Sequence, residues 1–142
     1  AGSESNQLIA NYDFMPTLAD LVGGEMPPDK DGHSFLPALL GDLERQPSHD
    51  AVIYASRLGP ALVTPEGLKL RYINKTNGFQ LYDVLADYRE EDNLADQYPG
   101  QVDRLGRQLL QACDGNFSYG TADLHRAFYV FRQQACQTVT MG

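Results

Sequence analysis

A hydrophobic period of two identifies one central segment of the chain as a β-strand. Leu68, Leu70 and Tyr72 alternate there with Lys69 and Arg71. Successive side chains of a strand point to opposite faces, so this alternation places the apolar residues on a core and the two cations in water. The pattern predicts a half-buried antiparallel strand.

Three further segments have the β-branched and aromatic character of strands, and turn residues separate them. The predicted strands cover residues 51–56, 60–64, 68–73 and 79–84. The turns are Pro65-Glu66-Gly67 and Asn77-Gly78, and both are sequences that favour chain reversal. Three or four antiparallel strands in chain order predict a meander and not a parallel sheet.

Helical periodicity appears on both sides of these strands. Residues 13–22 are predicted to form a short helix with Asp13 as its N-cap, and residues 34–40 to form a second short helical turn. From residue 101 onward, Val102, Leu105 and Leu109 recur at helical spacing and should cover the apolar face of the sheet. The predicted fold class is α+β, with a small antiparallel sheet of three to four strands packed against helices in two layers.

A further helix is predicted near the end of the chain. Thr121 is a plausible N-cap, and Leu124, Phe128, Phe131 and Ala135 would line one side of the helix. An aromatic stripe of this kind usually belongs to a core. The segment 121–136 could also dock a partner.

Composition narrows the class of protein. The 142 residues include 19 acidic and 11 basic side chains, for a net charge of -8. Nucleic-acid binding depends on clustered cations, so this charge argues against it. No apolar run approaches the ~20 residues that span a bilayer, and the sequence predicts no membrane span.

The residues alone identify no reaction. None of the three histidines lies in an HxH or HExxH spacing, and Cys113 and Cys136 form no CxxC pair, so a self-contained zinc site is not predicted. The count leaves a disulfide and two free thiols equally open. A cluster of acidic residues around 83–96 has no metal-loop register and is interpreted as a solvated loop.

Four stretches in a fixed order carry a resemblance to a known family. Residues 12–23 resemble a D-x-x-P-T-L-x-x-L-x-G helix, and residues 31–41 resemble a D-G-x-S-L-x-P-x-L-x-G segment. Lys69 occupies the place of a strand lysine, and residues 81–95 match L-Y-D-L-x-x-D-P-x-E-x-x-N-L-A. Together these motifs are similar to the C-terminal third of type I sulfatases, in the sulfatase and alkaline phosphatase superfamily.

The resemblance implies an enzyme whose chemistry lies elsewhere. Type I sulfatases use a formylglycine made within a C/S-x-P-x-R motif and a bound Ca²⁺ or Mg²⁺. The sequence contains no such motif, so the resemblance implies no catalytic residue and no metal ligand in this chain. It implies a full-length parent with Ca or Mg, a sulfuric ester hydrolase, and a periplasmic or extracellular location.

The same resemblance implies a domain organisation and a set of partners. Residues 1–24 would be the tail of the catalytic domain, 25–48 a linker with a short helical turn, 49–115 the sheet with its covering helix, and 116–142 a C-terminal helix extension. The partners would be the catalytic domain of the parent and a sulfated small molecule or glycan. His33, His49 and Arg57 are the candidate substrate-binding residues, since loops or strand ends carry them.

Two other interpretations stay open on sequence. The chain could be a non-enzymatic interaction domain that docks through residues 121–136, or the tail of a related phosphate or phosphonate ester hydrolase. In the sulfatase interpretation, the apolar stripe Phe14, Leu18 and Leu21 would stay partly exposed when the chain is isolated.

Overall fold

The computed structural model describes residues 5–27 and 30–117, which form two compact units. The first unit contains the described residues up to Val52 together with Thr64–Glu66. The second contains Ile53–Val63 and the described residues from Gly67 onward. The helix predicted over 121–136 lies outside the described residues.

Short helices dominate the first unit. Helix α1 spans Phe14–Leu21 and follows a 3-10 turn at Asn11–Asp13, and helix α2 spans Leu36–Leu39. A second 3-10 turn covers Leu43–Arg45. Helix α1 ends where Gly23 takes a φ of +70°, a conformation that glycine adopts without steric cost. The two helices predicted in this part of the sequence are confirmed.

The predicted capping role of Asp13 is wrong. Asp13 precedes α1, but its backbone is already helical and its side chain makes no capping hydrogen bond to that helix. Its carboxylate instead accepts hydrogen bonds from Ala10, His33 and His49. It therefore joins segments that lie far apart in the sequence.

The apolar residues of α1 face outward. The helix buries Pro16 and Thr17, and the Thr17 hydroxyl donates to the Asp13 carbonyl at 2.7 Å and accepts from the Phe35 amide at 3.0 Å. The large apolar side chains of α1 and its C-cap are half or more exposed: Phe14, Met15, Leu18, Leu21 and Val22. The exposure predicted for the stripe is confirmed.

Four strands form one sheet in the order β1-β2-β3-β4. The strands are β1 at Val52–Ser56, β2 at Gly59–Val63, β3 at Leu68–Ile73 and β4 at Gly78–Asp83. Strands β2, β3 and β4 pair antiparallel, and Leu62, Leu70 and Leu81 lie opposite one another in the register. The predicted α+β class and meander are confirmed.

Helix α3, Pro99–Ala112, covers the sheet and contacts β2, β3 and β4. It begins two residues before the predicted start because proline is favoured in the first helical turn. Leu105 and Leu109 are fully buried. An added Cβ at Gly106 would lie 3.3 Å from the ring of Phe79, so glycine permits the close approach of α3 to β4. No helix within the described residues is long and apolar enough to cross a membrane.

Candidate functional site

A buried carboxylate organises the first unit. Asp13 is 1% exposed, and its Oδ2 accepts the Ala10 amide at 2.7 Å while its Oδ1 accepts the His33 amide at 2.8 Å. His49 Nε2 lies 2.9 Å from both carboxylate oxygens. We refer to Asp13, His49 and His33 as the Asp13 cluster.

The protonation of this cluster follows from its hydrogen bonds. Burial favours the neutral carboxyl and raises the pKa of Asp13, but the amides of Ala10 and His33 and the ring of His49 outweigh it, and the pKa lies below its ordinary value. An ionised carboxylate only accepts hydrogen bonds. His49 must therefore carry a hydrogen on Nε2, and this N–H donates the hydrogen bond to the Asp13 carboxylate.

The predicted binding residues occupy different environments. His33 is exposed, and its ring stacks on that of His49 with centroids 4.4 Å apart and planes 9° apart. His49 is buried, and Tyr12 meets its ring edge-on. Arg57 is exposed in the turn between β1 and β2, in the second unit. The structure thus brings His33 and His49 together, with His33 as the accessible member of the pair.

Sequence reasoning missed Asp13 as the centre of the cluster. One local signal was present, because an acidic residue at the third position of a helical turn often accepts the amide of the capping residue. Asp13 does this for Ala10 in the 3-10 turn. The contact with His49, 36 residues away, has no local signature in the sequence.

A second charged group lies on the sheet of the second unit. Glu90 pairs with the ammonium group of Lys69, and its Oε2 lies 3.6 Å from Arg71 Nη1. Arg71 also donates to Gln80 Oε1, with its Nη2 at 2.7 Å. We call Lys69, Arg71 and Glu90 the Lys69 cluster.

The predicted solvent face of β3 is therefore not in water. The side chains of Lys69, Arg71 and Glu90 are 17%, 20% and 23% exposed. Burial lowers the pKa of Lys69, but hydrogen bonds with Glu90 and Tyr54 outweigh it and the pKa is raised. The interpretation of Glu90 as part of a solvated loop is wrong, because its carboxylate is needed to neutralise two half-buried cations.

The rest of the acidic loop is held by side chains that bind backbone amides. Asp83 Oδ1 accepts from Leu85 and Ala86, each at 3.1 Å. Asn93 Oδ1 accepts from Leu81 at 3.0 Å and from Ala95 at 3.1 Å. Asn93 thus caps the turn and ties the loop to β4.

Within each cluster, ionisable side chains pair with one another: His49 with Asp13, and Lys69 and Arg71 with Glu90. Each cluster therefore fixes the position of a loop. Within residues 5–27 and 30–117, no group of three or more His, Cys, Asp or Glu side chains could hold a metal ion.

Comparison with known proteins finds sequence and structural similarity to parts of sulfatases. An ulvan-active sulfatase from Formosa agariphila is 55% identical over 40 residues, which are 28% of this chain and 8% of that protein. A delta 4,5-hexuronate-2-O-sulfatase from Bacteroides thetaiotaomicron is 34% identical over 138 residues, covering 92% of this chain and 28% of the relative. The solved structure of a 2-O GAG sulfatase aligns with a TM-score of 0.58 at 30% identity, over 81% of this chain and 26% of that one.

The chain is homologous to part of a sulfatase. No protein-family model matches it. This sulfatase homologue spans 8% and 28% of the lengths of the two curated relatives, and the partial coverage is consistent with the C-terminal region that its motifs resemble. The resemblance drawn from the sequence is thereby confirmed.

Proposed function

We propose that the chain is the C-terminal subdomain of a sulfatase, where it supports the catalytic domain and shapes substrate access for sulfate-ester hydrolysis. The observation that carries this proposal is the alignment of 92% of the chain with only 28% of a hexuronate-2-O-sulfatase. The sequence contains no C/S-x-P-x-R motif, since Cys113 precedes Asp-Gly-Asn and Cys136 precedes Gln-Thr-Val. The nucleophile would come from the parent.

The divalent metal of the parent would also be held outside this chain. Ca²⁺ and Mg²⁺ bind several carboxylate and carbonyl oxygens at once. Asp13 already accepts hydrogen bonds on both oxygens, and Glu90 is paired with two cations. Neither carboxylate is available to a hard cation without breaking its cluster.

The substrate would be a sulfated saccharide. The two curated relatives are named for ulvan and for a hexuronate, and a sulfate group needs hydrogen-bond donors, preferably charged. His33 and Arg57 are exposed and can supply such donors. His49 would position His33 through the stacked ring contact.

The outer face of α1 supports packing against the parent. Leu18 is 54% exposed and Leu21 is 63% exposed, and a contiguous apolar patch on one helix is a common sign of an interface. The relatives are several times longer than the chain. We therefore assign this face to the catalytic domain.

We expect the isolated chain to release no sulfate from a Δ4,5-unsaturated 2-O-sulfated uronate disaccharide with Ca²⁺ or Mg²⁺. The enzyme expressed from the complete reading frame should do so.

In that enzyme, His33→Ala and Arg57→Ala should raise KM by roughly 10-fold with little change in kcat, because each removes a charge-assisted hydrogen bond to bound substrate.

Lys75→Ala is the matched control, because Lys75 is an exposed cation in the β3–β4 turn that the proposal gives no contact with substrate. Turnover by the isolated chain above a heat-treated sample would overturn the proposal. A complete reading frame without a C/S-x-P-x-R motif would overturn it as well. Unchanged KM in His33→Ala and Arg57→Ala would show that neither residue binds substrate. The supporting role proposed for the chain would still stand.

A second expected result concerns the outer face of α1. Sedimentation velocity of the isolated chain at rising concentration should show self-association through this face, since its apolar residues lack their partner surface. Met15→Lys with Leu21→Lys should abolish the association, whereas Leu85→Lys should not, although Leu85 is 76% exposed. A chain that stays monomeric at every concentration would count against an interface on α1.

A further inference from the structure

An apolar groove lies along α3 in the second unit. Its volume is about 530 Å³, and it is open to solvent. Phe79, Val102, Leu110 and Phe117 supply apolar side chains to its lining, and its charged residues are Asp96, Asp103 and Arg107. An opening of this size and composition would bury a pair of aromatic side chains and has carboxylates to receive a cation.

The described chain ends inside this groove. Phe117, the last described residue, stacks on Tyr72 with ring centroids 4.3 Å apart and meets Phe79 edge-on at 5.6 Å. Residues 118–142 continue from that point. Because Phe117 lies in the lining, a segment joined to it is tethered beside the groove at high effective concentration.

The sequence of this tail complements the groove. Leu124, Phe128 and Phe131 fall at helical spacing and give an apolar stripe, and Arg132 flanks it. The tail carries a net positive charge, in a chain whose total is -8. Asp103 is paired with Arg107, which leaves Asp96 as the carboxylate of the lining that is available to a new cation.

The tail also belongs to the homologous part of the chain. The alignment with the hexuronate-2-O-sulfatase covers 92% of the sequence, so it includes more than half of residues 118–142. A segment shared with a relative in this way is expected to have a place in the fold and not to be an unrelated appendage.

We propose that residues 121–136 are the occupant of the groove, with Phe128 and Phe131 inserted between Val102 and Leu110 and with Arg132 near Asp96. The contact is intramolecular. It would cover the apolar lining of the groove. The stripe is then part of the core and not a docking site for a partner.

Paramagnetic relaxation in the full chain tests this contact. A nitroxide is attached to Cys136 in a Cys113→Ser background, and amide signals are compared before and after reduction of the label. Amides of Val102, Gly106 and Leu110 should lose most of their intensity, whereas Ala55 and Arg57 in and beside β1 should keep theirs.

Substitutions on the stripe distinguish a specific contact from mere proximity. Phe128→Asp with Phe131→Asp should restore the groove signals, while the amide shifts of Leu70 and Leu81 stay unchanged and show that the sheet is intact. Ala122→Asp with Gln133→Asp adds the same charge away from the stripe and should leave the broadening in place. The proposal would be overturned if both double variants lost the broadening of the groove amides, or if neither did.

An intermolecular arrangement would give a different result. Isotope-labelled chain without nitroxide is mixed with unlabelled chain that carries it. Broadening of the groove amides in the mixture would show that a second copy is the occupant, which contradicts the proposal. Absence of groove broadening in both the single-chain and the mixed sample would contradict it too.

Discussion

Asp13→Ala is expected to lower the free energy of unfolding of the first unit by about 3–5 kcal/mol, since each buried donor that loses its acceptor costs about 1–3 kcal/mol. The Asp13 side chain is 1% exposed and accepts hydrogen bonds from two backbone amides and one imidazole. Its removal leaves these three donors without their acceptor in a site that excludes water. The loop that carries His33 would lose its hydrogen bond to Asp13 and keep the one from Phe35 to Thr17 in α1.

Amide hydrogen exchange at Ala10 and His33 measures this effect locally. Both amides donate to the carboxylate, so their protection should collapse in Asp13→Ala. Asp20→Asn is the matched control, because Asp20 is an exposed carboxylate on α1, the helix that follows Asp13. Equal protection in the two variants would show that the carboxylate does not hold the unit together.

The same carboxylate predicts the acid sensitivity of the first unit. The pKa of Asp13 is lower in the folded state than the ordinary value, which is about 3.9 for an unfolded chain. Its stabilisation is thus fully present above that value and is lost as pH falls through the folded pKa. Protection of the His33 amide against hydrogen exchange should decrease in that acidic range in the wild type. In Asp13→Ala, where this protection is already lost, the same fall in pH should cause no further decrease.

The sheet could be predicted from the sequence because its signals are local. The alternation of Leu68, Leu70 and Tyr72 sets the face that packs under α3, and Asn77-Gly78 fixes the turn that determines the register of β4. Strand β3 has the predicted bounds. Helix α3 starts two residues before the predicted position, because the local geometry at Pro99 decides where the helix begins.

The two clusters could not be predicted, because each depends on contacts between distant residues. The pairing of Asp13 with His49 requires the path of the whole first unit. Glu90 comes 21 residues after Lys69, and its backbone adopts a φ of +58°, which non-glycine residues rarely take. A period of two correctly placed Lys69 opposite the core but carried no information about the loop that covers it.

The neutralisation of Lys69 and Arg71 by Glu90 gives the second large expected effect. Glu90→Gln should lower the free energy of unfolding of the second unit by about 1–3 kcal/mol, a value between exposed and fully buried ion pairs. Denaturant unfolding followed by circular dichroism measures it. Glu91→Gln is the matched control and should change stability by less than about 0.5 kcal/mol, because Glu91 is 71% exposed and 3.9 Å from Arg89.

A double-mutant cycle isolates the pair itself. Lys69→Met combined with Glu90→Gln should be less destabilised than the sum of the single variants, since the second change removes the unpaired charge left by the first. The pKa of Lys69 is raised in the folded state, so its contribution is present below the unfolded value of about 10.4 and is lost as pH rises through the folded pKa. Additive single effects would contradict the pairing.

The backbone at Glu90 allows the ion pair and the strain to be separated. Glu90→Ala loses the carboxylate but keeps a side chain at a φ of +58°, which costs roughly 1–2 kcal/mol for a residue other than glycine. Glu90→Gly loses the same carboxylate and relieves that strain, partly offset by the greater freedom of glycine in the unfolded chain. Glu90→Gly should therefore be at least as stable as Glu90→Ala, and a clearly less stable glycine variant would show that the loop is not held in a strained conformation by the pairing with Lys69.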